Sequence, residues 1–263
     1  TSRPRQIARF KCRLWLRGQC VRNSFAHRRR APGAGFAKTA FWDACSQVCQ
    51  SALSWRYRFR VEGAHHVPRH GPVIFIANHQ SYLDPMIHGL AVGDRIARPM
   101  AKEELFRNPI FGALLRALNC ISVRSDGGNR DAVRTALDEL AAGRAIMIYP
   151  EGSRSPDGSV KEFRRGVELL ARKSGAPIVP IAIDGAFDIW PTGAKAPRLQ
   201  GRIWAAIGPV ISPTESAALF ADAPAGLEEI RRRVNELMHH CRMRLRSHSG
   251  GVYPAIGPAD EQA

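Results

Sequence analysis

The sequence predicts a three-layer αβα fold with an amphipathic helical segment at its N-terminal side. Three observations carry that reading. The runs Val73–Ile76, Ala145–Tyr149 and Ile178–Ile183 are continuously apolar, as strands buried on both faces are. Stretches of helical periodicity alternate with them, which gives an α/β layer architecture. A chain of 263 residues that is 44% hydrophobic suits one such domain with a small appendage.

The elements follow in chain order. From Ile7 to Phe25 the apolar Ile7, Phe10, Leu14 and Val21 alternate with Arg9, Arg13, Arg17 and Arg22, as in a basic amphipathic helix or a solvated arm. His27 to Gly33 breaks this stretch. A clearer helix runs from Phe36 to about Tyr57, with Ala37, Ala40, Phe41, Ala44, Cys45, Val48, Cys49, Ala52 and Leu53 at i, i+3, i+4 spacing. Trp42 and Trp55 lie alongside. Aromatic amphipathic helices with flanking arginines suit a bilayer interface, or the same face packs on the domain. Residues 62–72 read as a linker or an edge hairpin.

The strand at 73–77 ends in Asn78-His79-Gln80-Ser81-Tyr82-Leu83-Asp84-Pro85, where Asp84 stands as a helix N-cap before proline. Ala97 to Ala101 is the next strand. Asn108-Pro109 opens a helix to about Leu118, and Ile121–Val123 is a short strand ending at Arg124. Helix 129–142 places Ala132, Val133, Ala136, Leu137 and Leu140 on one face, and Gly143 stops it. The strand at 145–149 exits through Pro150-Glu151-Gly152-Ser153-Arg154-Ser155. A helix near 165–173 precedes the strand at 178–183, a late strand follows at 202–207, and an Arg-rich helix spans about 227–246. A flexible tail is expected beyond Ser247.

Charge is unevenly placed. Residues 1–38 hold eleven Lys or Arg and no acid, leaving the rest of the chain +5 of the net +16. The partner implied is a polyanionic surface, nucleic acid or anionic lipid. No motif of a nucleic-acid-binding fold is present, so a lipid surface is favoured over a non-catalytic DNA- or RNA-binding role. No run approaches the ~20 apolar residues of a spanning helix. Arginines interrupt the early apolar residues, unlike a secretory signal, and serines are few for a transit peptide. Cys12, Cys20, Cys45, Cys49, Cys120 and Cys241 form no CxxC and read as reduced thiols. His65-His66 and His239-His240-Cys241 lack zinc-ligand spacing, so no metal is expected.

Polar groups gather at strand ends: His79 and Asp84, Lys102, Arg124, and Glu151 to Arg154. Open α/β sheets bind ligands at that edge. A His-x4-Asp pair is a weak signal alone, but a polar cluster closing an apolar strand is an awkward choice for a core. A histidine held in one tautomer by a carboxylate can take a proton from a hydroxyl. Cations near such a base suggest an anionic substrate. Glu151-Gly152-Ser153-Arg154-Ser155 lacks the Gly-x-Ser-x-Gly elbow of a serine hydrolase.

Three ordered blocks, Asn78–Asp84, Pro150–Ser155 and Ile178-Val179-Pro180-Ile181, resemble those of the glycerolipid acyltransferases. The branch most similar is 1-acyl-sn-glycerol-3-phosphate acyltransferase. Ala101–Leu105 with Pro109, Gly112 and Arg124 matches much of a remaining block, and the likeness covers about residues 60 to 210.

The resemblance implies His79 as general base, Asp84 as its partner, and Lys102 and Arg154 as holders of the acceptor phosphate. Arg124 is a weaker candidate, and Glu151, Gly152 and Ser153 shape the site. It implies no cofactor and no metal: an acyl-CoA or acyl carrier protein thioester is the co-substrate, a lysophospholipid the acceptor, and phosphatidate the product. Another lysolipid acceptor, such as a lyso-ornithine lipid, is the alternative. The expected location is the cytoplasmic face of the inner membrane, peripheral or monotopic, on an anionic surface. The implied organisation is a basic arm (1–35), an interface helix (36–60), the acyltransferase domain (61–246) and a tail (247–263). Two departures stand out. Leu118, Ile121, Ser122 and Val123 precede Arg124 where the family pattern has Gly and Phe, and Ser153 replaces a threonine.

Overall fold

The structure, a computed structural model, describes residues 35–93, 95–117, 120–123 and 129–261. The basic arm up to residue 34 therefore lies outside the described residues. The strands are β1 (Arg60–Glu62), β2 (Val73–Ala77), β3 (Ala97–Lys102), β4 (Ile121–Val123), β5 (Ala145–Ile148), β6 (Ile178–Asp184) and β7 (Trp204–Ile207). The helices are α1 (Phe36–Tyr57), α2 (Asp84–Ala91), α3 (Glu103–Arg107), α4 (Pro109–Ala117), α5 (Asn129–Ala141), α6 (Gly166–Ser174), α7 (Ala186–Ile189), α8 (Pro213–Leu219) and α9 (Ala223–Ser247).

The strands join in the order β1-β7-β6-β2-β5-β3-β4. From β6 to β4 all neighbours are parallel, while β7 runs antiparallel to β6 and β1 parallel to β7. Alternation along each strand divides the core between two faces. Ile74, Ile76, Ile146, Ile148 and Ile178 pack with Val133, Leu140, Leu170, Ile230, Val234 and Met238 from α5, α6 and α9. Val73, Phe75, Met147, Val179, Ile181 and Ile183 pack with Leu53, Tyr57, Ile87, Leu90 and Ile189 on the other. Each such side chain contributes about 1.5–3 kcal/mol on burial. The three-layer prediction therefore holds.

Several local expectations are corrected. Of the linker and the hairpin expected at residues 62–72, the chain forms the linker. Gly63 turns the chain at φ +75°, where an added Cβ would lie 2.0 Å from the Ile207 carbonyl oxygen, and β1 pairs with the distant β7. Helix α9 begins at Ala223 rather than near 227, because Asp222 accepts the Ala225 N–H as N-cap and a proline occupies the first turn. Helix α8 was not expected, although Ser212 caps it by accepting the Glu215 N–H.

The stretch after Ser247 is no free tail. The Tyr253 hydroxyl donates to the Gly185 carbonyl at 2.8 Å, and Ala259 is buried. Asp260 accepts from Arg246 at 2.6 and 2.9 Å and from Arg242 at 2.9 Å, while Arg242 also holds the buried Asp184 at the end of β6. Arg242, the cation beside the buried Asp184, thus also holds Asp260, and Arg246 from the same helix completes the tail's anchor.

Helix α1 also packs differently from its pattern. Its buried line is Thr39, Asp43, Ser46, Gln50, Leu53 and Tyr57. Leu53 and Tyr57 dock into the core, and helical periodicity carries the polar residues before them to the same side. Of the predicted apolar face only Leu53 is buried. Phe41, Val48 and Trp55 are 60%, 69% and 85% exposed. The helix ends where Arg58 adopts φ +50°, so the expected boundary at 60 falls inside β1.

Candidate active site

The site forms where β2 leaves the sheet beside β5. Asn78 continues the ladder with its side chain: the amide donates to the Ile183 carbonyl at 2.9 Å and accepts the Ile183 N–H at 2.9 Å. Gln80 donates to the same carbonyl at 3.1 Å and accepts the Phe187 N–H at 3.1 Å. The polar cluster that suits a core poorly is thus paired residue by residue, which fixes the loop carrying His79.

His79 donates through Nδ1 to Asp84 Oδ2 at 2.7 Å. The Asp84 side chain is fully buried and that of His79 is 19% exposed. The same oxygen accepts the Gln80 N–H at 2.6 Å and the Ser81 N–H at 2.8 Å. Asp84 is therefore no N-cap: it is the first residue of α2, Leu83 holds the cap position, and the carboxylate turns back into the loop. With Nδ1 donating to the carboxylate, Nε2 is the acceptor nitrogen of the ring.

Tyr149, at the end of β5, stacks on the His79 ring with centroids 4.3 Å apart at 28°. Its hydroxyl lies 3.3 Å from His88 Nδ1, which in turn lies 3.0 Å from the Asp84 carbonyl oxygen. Burial lowers the His88 pKa to about 4, so this second imidazole is neutral, and burial holds the Tyr149 phenol well above its ordinary range. Tyr149 thus joins the stacked His79 ring to a second, neutral imidazole.

The 150–155 loop meets the His79 loop directly. Glu151 Oε1 accepts the His79 N–H at 2.8 Å, Oε2 accepts the Lys161 N–H at 3.4 Å, and the His79 carbonyl accepts the Ser155 N–H at 2.6 Å. Burial pushes the Glu151 carboxyl up to about 8 against the pull of those amides. Gly152 has φ +73°, and an added Cβ would lie 2.5 Å from the Arg164 guanidinium carbon. Ser153 Oγ accepts from Lys161 Nζ at 2.6 Å.

The Arg154 guanidinium lies over the Tyr82 ring, 3.5 Å from its centroid. It has no carboxylate partner among the described residues, and its buried Nη1 meets no acceptor there. A cavity of about 650 Å³ adjoins the loop, lined by Glu151, Ser153, Lys161, Arg164, Glu228 and Arg231 among others, and not by His79 or Arg154. Of its cations, Arg231 pairs with Glu228, and Lys161 donates to Ser153 Oγ and to the Arg154 carbonyl.

Lys102 closes β3, two strands from β2 or about 10 Å across the sheet. Its side chain and all of Arg124 lie outside the described residues. The structure brings together His79, Asp84, Glu151, Gly152, Ser153 and Arg154. Sequence reasoning missed Tyr82, Tyr149, His88 and Lys161. Tyr82 stands inside the Asn78–Asp84 block and Tyr149 ends the apolar run before Pro150, whereas nothing in the spacing of His88 or Lys161 links them to the site.

Residues 58–184 match the family model described as Acyltransferase. A 1-acyl-sn-glycerol-3-phosphate acyltransferase of the Arabidopsis thaliana chloroplast is 28% identical over 176 residues, 66% of this chain and 49% of that protein. The Bacillus subtilis (strain 168) protein of the same name is 24% identical over 195 residues, 73% of this chain and 94% of that one. This chain spans about half the length of the plant and algal relatives it matches. The crystal structure of the 1-acyl-sn-glycerophosphate acyltransferase from Thermotoga maritima superposes with a TM-score of 0.64 at 27% identity, covering 81% of this chain and 87% of that one.

Proposed function

The chain belongs to the acyltransferase family, and from that footing we propose that it acylates the free hydroxyl of 1-acyl-sn-glycerol-3-phosphate to give phosphatidate. The observation that carries this reading is the 2.7 Å His79–Asp84 contact, with a buried carboxylate holding the ring in one tautomer. Nε2 takes the proton of the acceptor hydroxyl as its oxygen attacks the thioester carbonyl of acyl-CoA or acyl carrier protein. Asp84 stabilises the imidazolium that forms. The tetrahedral intermediate collapses with cleavage of the C–S bond, and the imidazolium returns its proton to the departing thiolate. No acyl-enzyme and no metal enter this scheme.

Arg154 supports a phosphate-bearing acceptor, because its charge is left unmatched by any described carboxylate. Lys102 joins it in our reading, from its place at the end of a neighbouring strand. A lipid acceptor also requires access to a bilayer. Among the described residues no helix is long and apolar enough to cross one. The exposed line of Phe41, Val48 and Trp55 on α1 would seat the protein on an anionic membrane, at its cytoplasmic face, with the basic arm on the headgroups.

The test is an acyl-transfer assay of the purified protein against a panel of lysolipids, with acyl-CoA and acyl carrier protein donors. Preference for 1-acyl-sn-glycerol-3-phosphate is expected. Preference for a lyso-ornithine lipid or another lysophospholipid would keep the chemistry and replace the acceptor.

A further inference from the structure

The Arg154 guanidinium is held over the Tyr82 ring and not against a carboxylate. A guanidinium is usually held in place by a carboxylate, and that partner cancels its charge. An aromatic face attracts it through the ring quadrupole and carries no net charge. At 3.5 Å from the centroid, the Tyr82 ring packs against the guanidinium carbon, and the N–H donors at the guanidinium edge meet no carboxylate among the described residues. Those edge donors are the ones that fit phosphate oxygens. A buried guanidinium nitrogen without an acceptor is costly, which favours an anion at that edge.

Tyr82 is itself fixed. The Ser81 hydroxyl donates to the Trp190 carbonyl at 2.8 Å and accepts the Leu83 N–H at 3.2 Å. The Tyr82 and Trp190 rings pack with centroids 5.1 Å apart, and Trp190 Nε1 donates to the Ala194 carbonyl at 3.0 Å. Trp190, which follows α7, thus meets one edge of the contact that Tyr82 makes with Arg154, its ring tilted by 41° to that of Tyr82. Tyr82 also stands in the loop between His79 and Asp84, so one short segment positions both the base and the arginine. Tyr82 remains 45% exposed, so its replacement opens no cavity in the core.

We propose that Tyr82 is a positioning residue that sets affinity for the phosphomonoester of the acceptor by holding Arg154 over its ring, where no carboxylate cancels the charge. The inference rests on the reading of Arg154 as a phosphate holder. A preordered guanidinium loses less freedom on binding, so the effect belongs in acceptor affinity rather than turnover.

The experiment compares wild type, Tyr82→Phe, Tyr82→Leu, Arg154→Ala and the Tyr82→Leu/Arg154→Ala double variant, with 1-acyl-sn-glycerol-3-phosphate and acyl-CoA as substrates. Tyr82→Leu is expected to raise the acceptor KM about three- to thirty-fold while kcat and the acyl-CoA KM stay put. Tyr82→Phe keeps the aromatic face and should behave as wild type. The double variant should be no worse than Arg154→Ala. An unchanged acceptor KM in Tyr82→Leu beside an impaired Arg154→Ala overturns the role of Tyr82 alone. An unchanged acceptor KM in Arg154→Ala overturns the phosphate reading of that arginine, and the inference with it.

Discussion

Glu151 binds the backbone of His79, not its ring: Oε1 accepts the His79 N–H at 2.8 Å. The carboxyl joins the end of β5 to the residue that carries the base, and its other oxygen accepts the Lys161 N–H. Glu151→Ala would leave these amides unpaired, at about 1–3 kcal/mol of stability. Glu151→Gln keeps an acceptor for one of them and should lose less. Chemical denaturation of both variants, read beside kcat, checks the ordering.

His88 gives the stability curve an acid limb. Its pKa falls from 6.5 in the unfolded chain to about 4 in the fold, with burial as the main cause. Between those values only the unfolded state binds the proton. This contribution is fully present above 6.5 and is lost as pH falls toward about 4, at up to about 1.4 kcal/mol per pH unit. His88→Asn keeps a donor near the Asp84 carbonyl and removes the titration. The difference between its denaturation free energy and that of wild type, measured across pH 4–7, should shrink or reverse as pH falls.

Asp260 anchors the C-terminal stretch through Arg242 and Arg246, whose guanidinium groups hold its carboxyl well below the usual carboxylate range. Asp260→Ala removes charge-assisted bonds worth about 1–3 kcal/mol and leaves Arg242 with Asp184 alone. A lower Tm is expected, with faster proteolysis after Ser247.

What the sequence disclosed depended on the range of the interaction. The strands at 73, 145 and 178 and their exit loops were legible because continuous apolar runs mark buried parallel strands. The residues of the dyad were legible as a pair, but the direction of the Asp84 carboxylate was not. A cap and a turn back into the loop share one sequence signature, and loop amides decided between them. The polar inward face of α1 was hidden for a similar reason. Its rotation is set by Leu53 and Tyr57 at one end, not by the whole apolar pattern. The anchoring of the tail depends on Asp184 meeting Arg242, 58 residues away, which no local pattern encodes.

The exposed line of α1 predicts a separable membrane phenotype. Replacing Phe41, Val48 and Trp55 together by serine should weaken partition onto anionic vesicles about ten- to a hundred-fold. Tm should change little, because all three side chains are exposed in the fold. Vesicle sedimentation and thermal unfolding of the same preparation check both halves. Unchanged sedimentation would remove α1 from the membrane contact.

The account stands on His79 acting as the general base, oriented by Asp84. The most direct measurement is kcat of His79→Ala with 1-acyl-sn-glycerol-3-phosphate and acyl-CoA, taken beside acceptor KM and Tm. The expected result is a fall of about 10²–10⁴-fold in kcat with the other two nearly unchanged. Turnover close to that of wild type would contradict it.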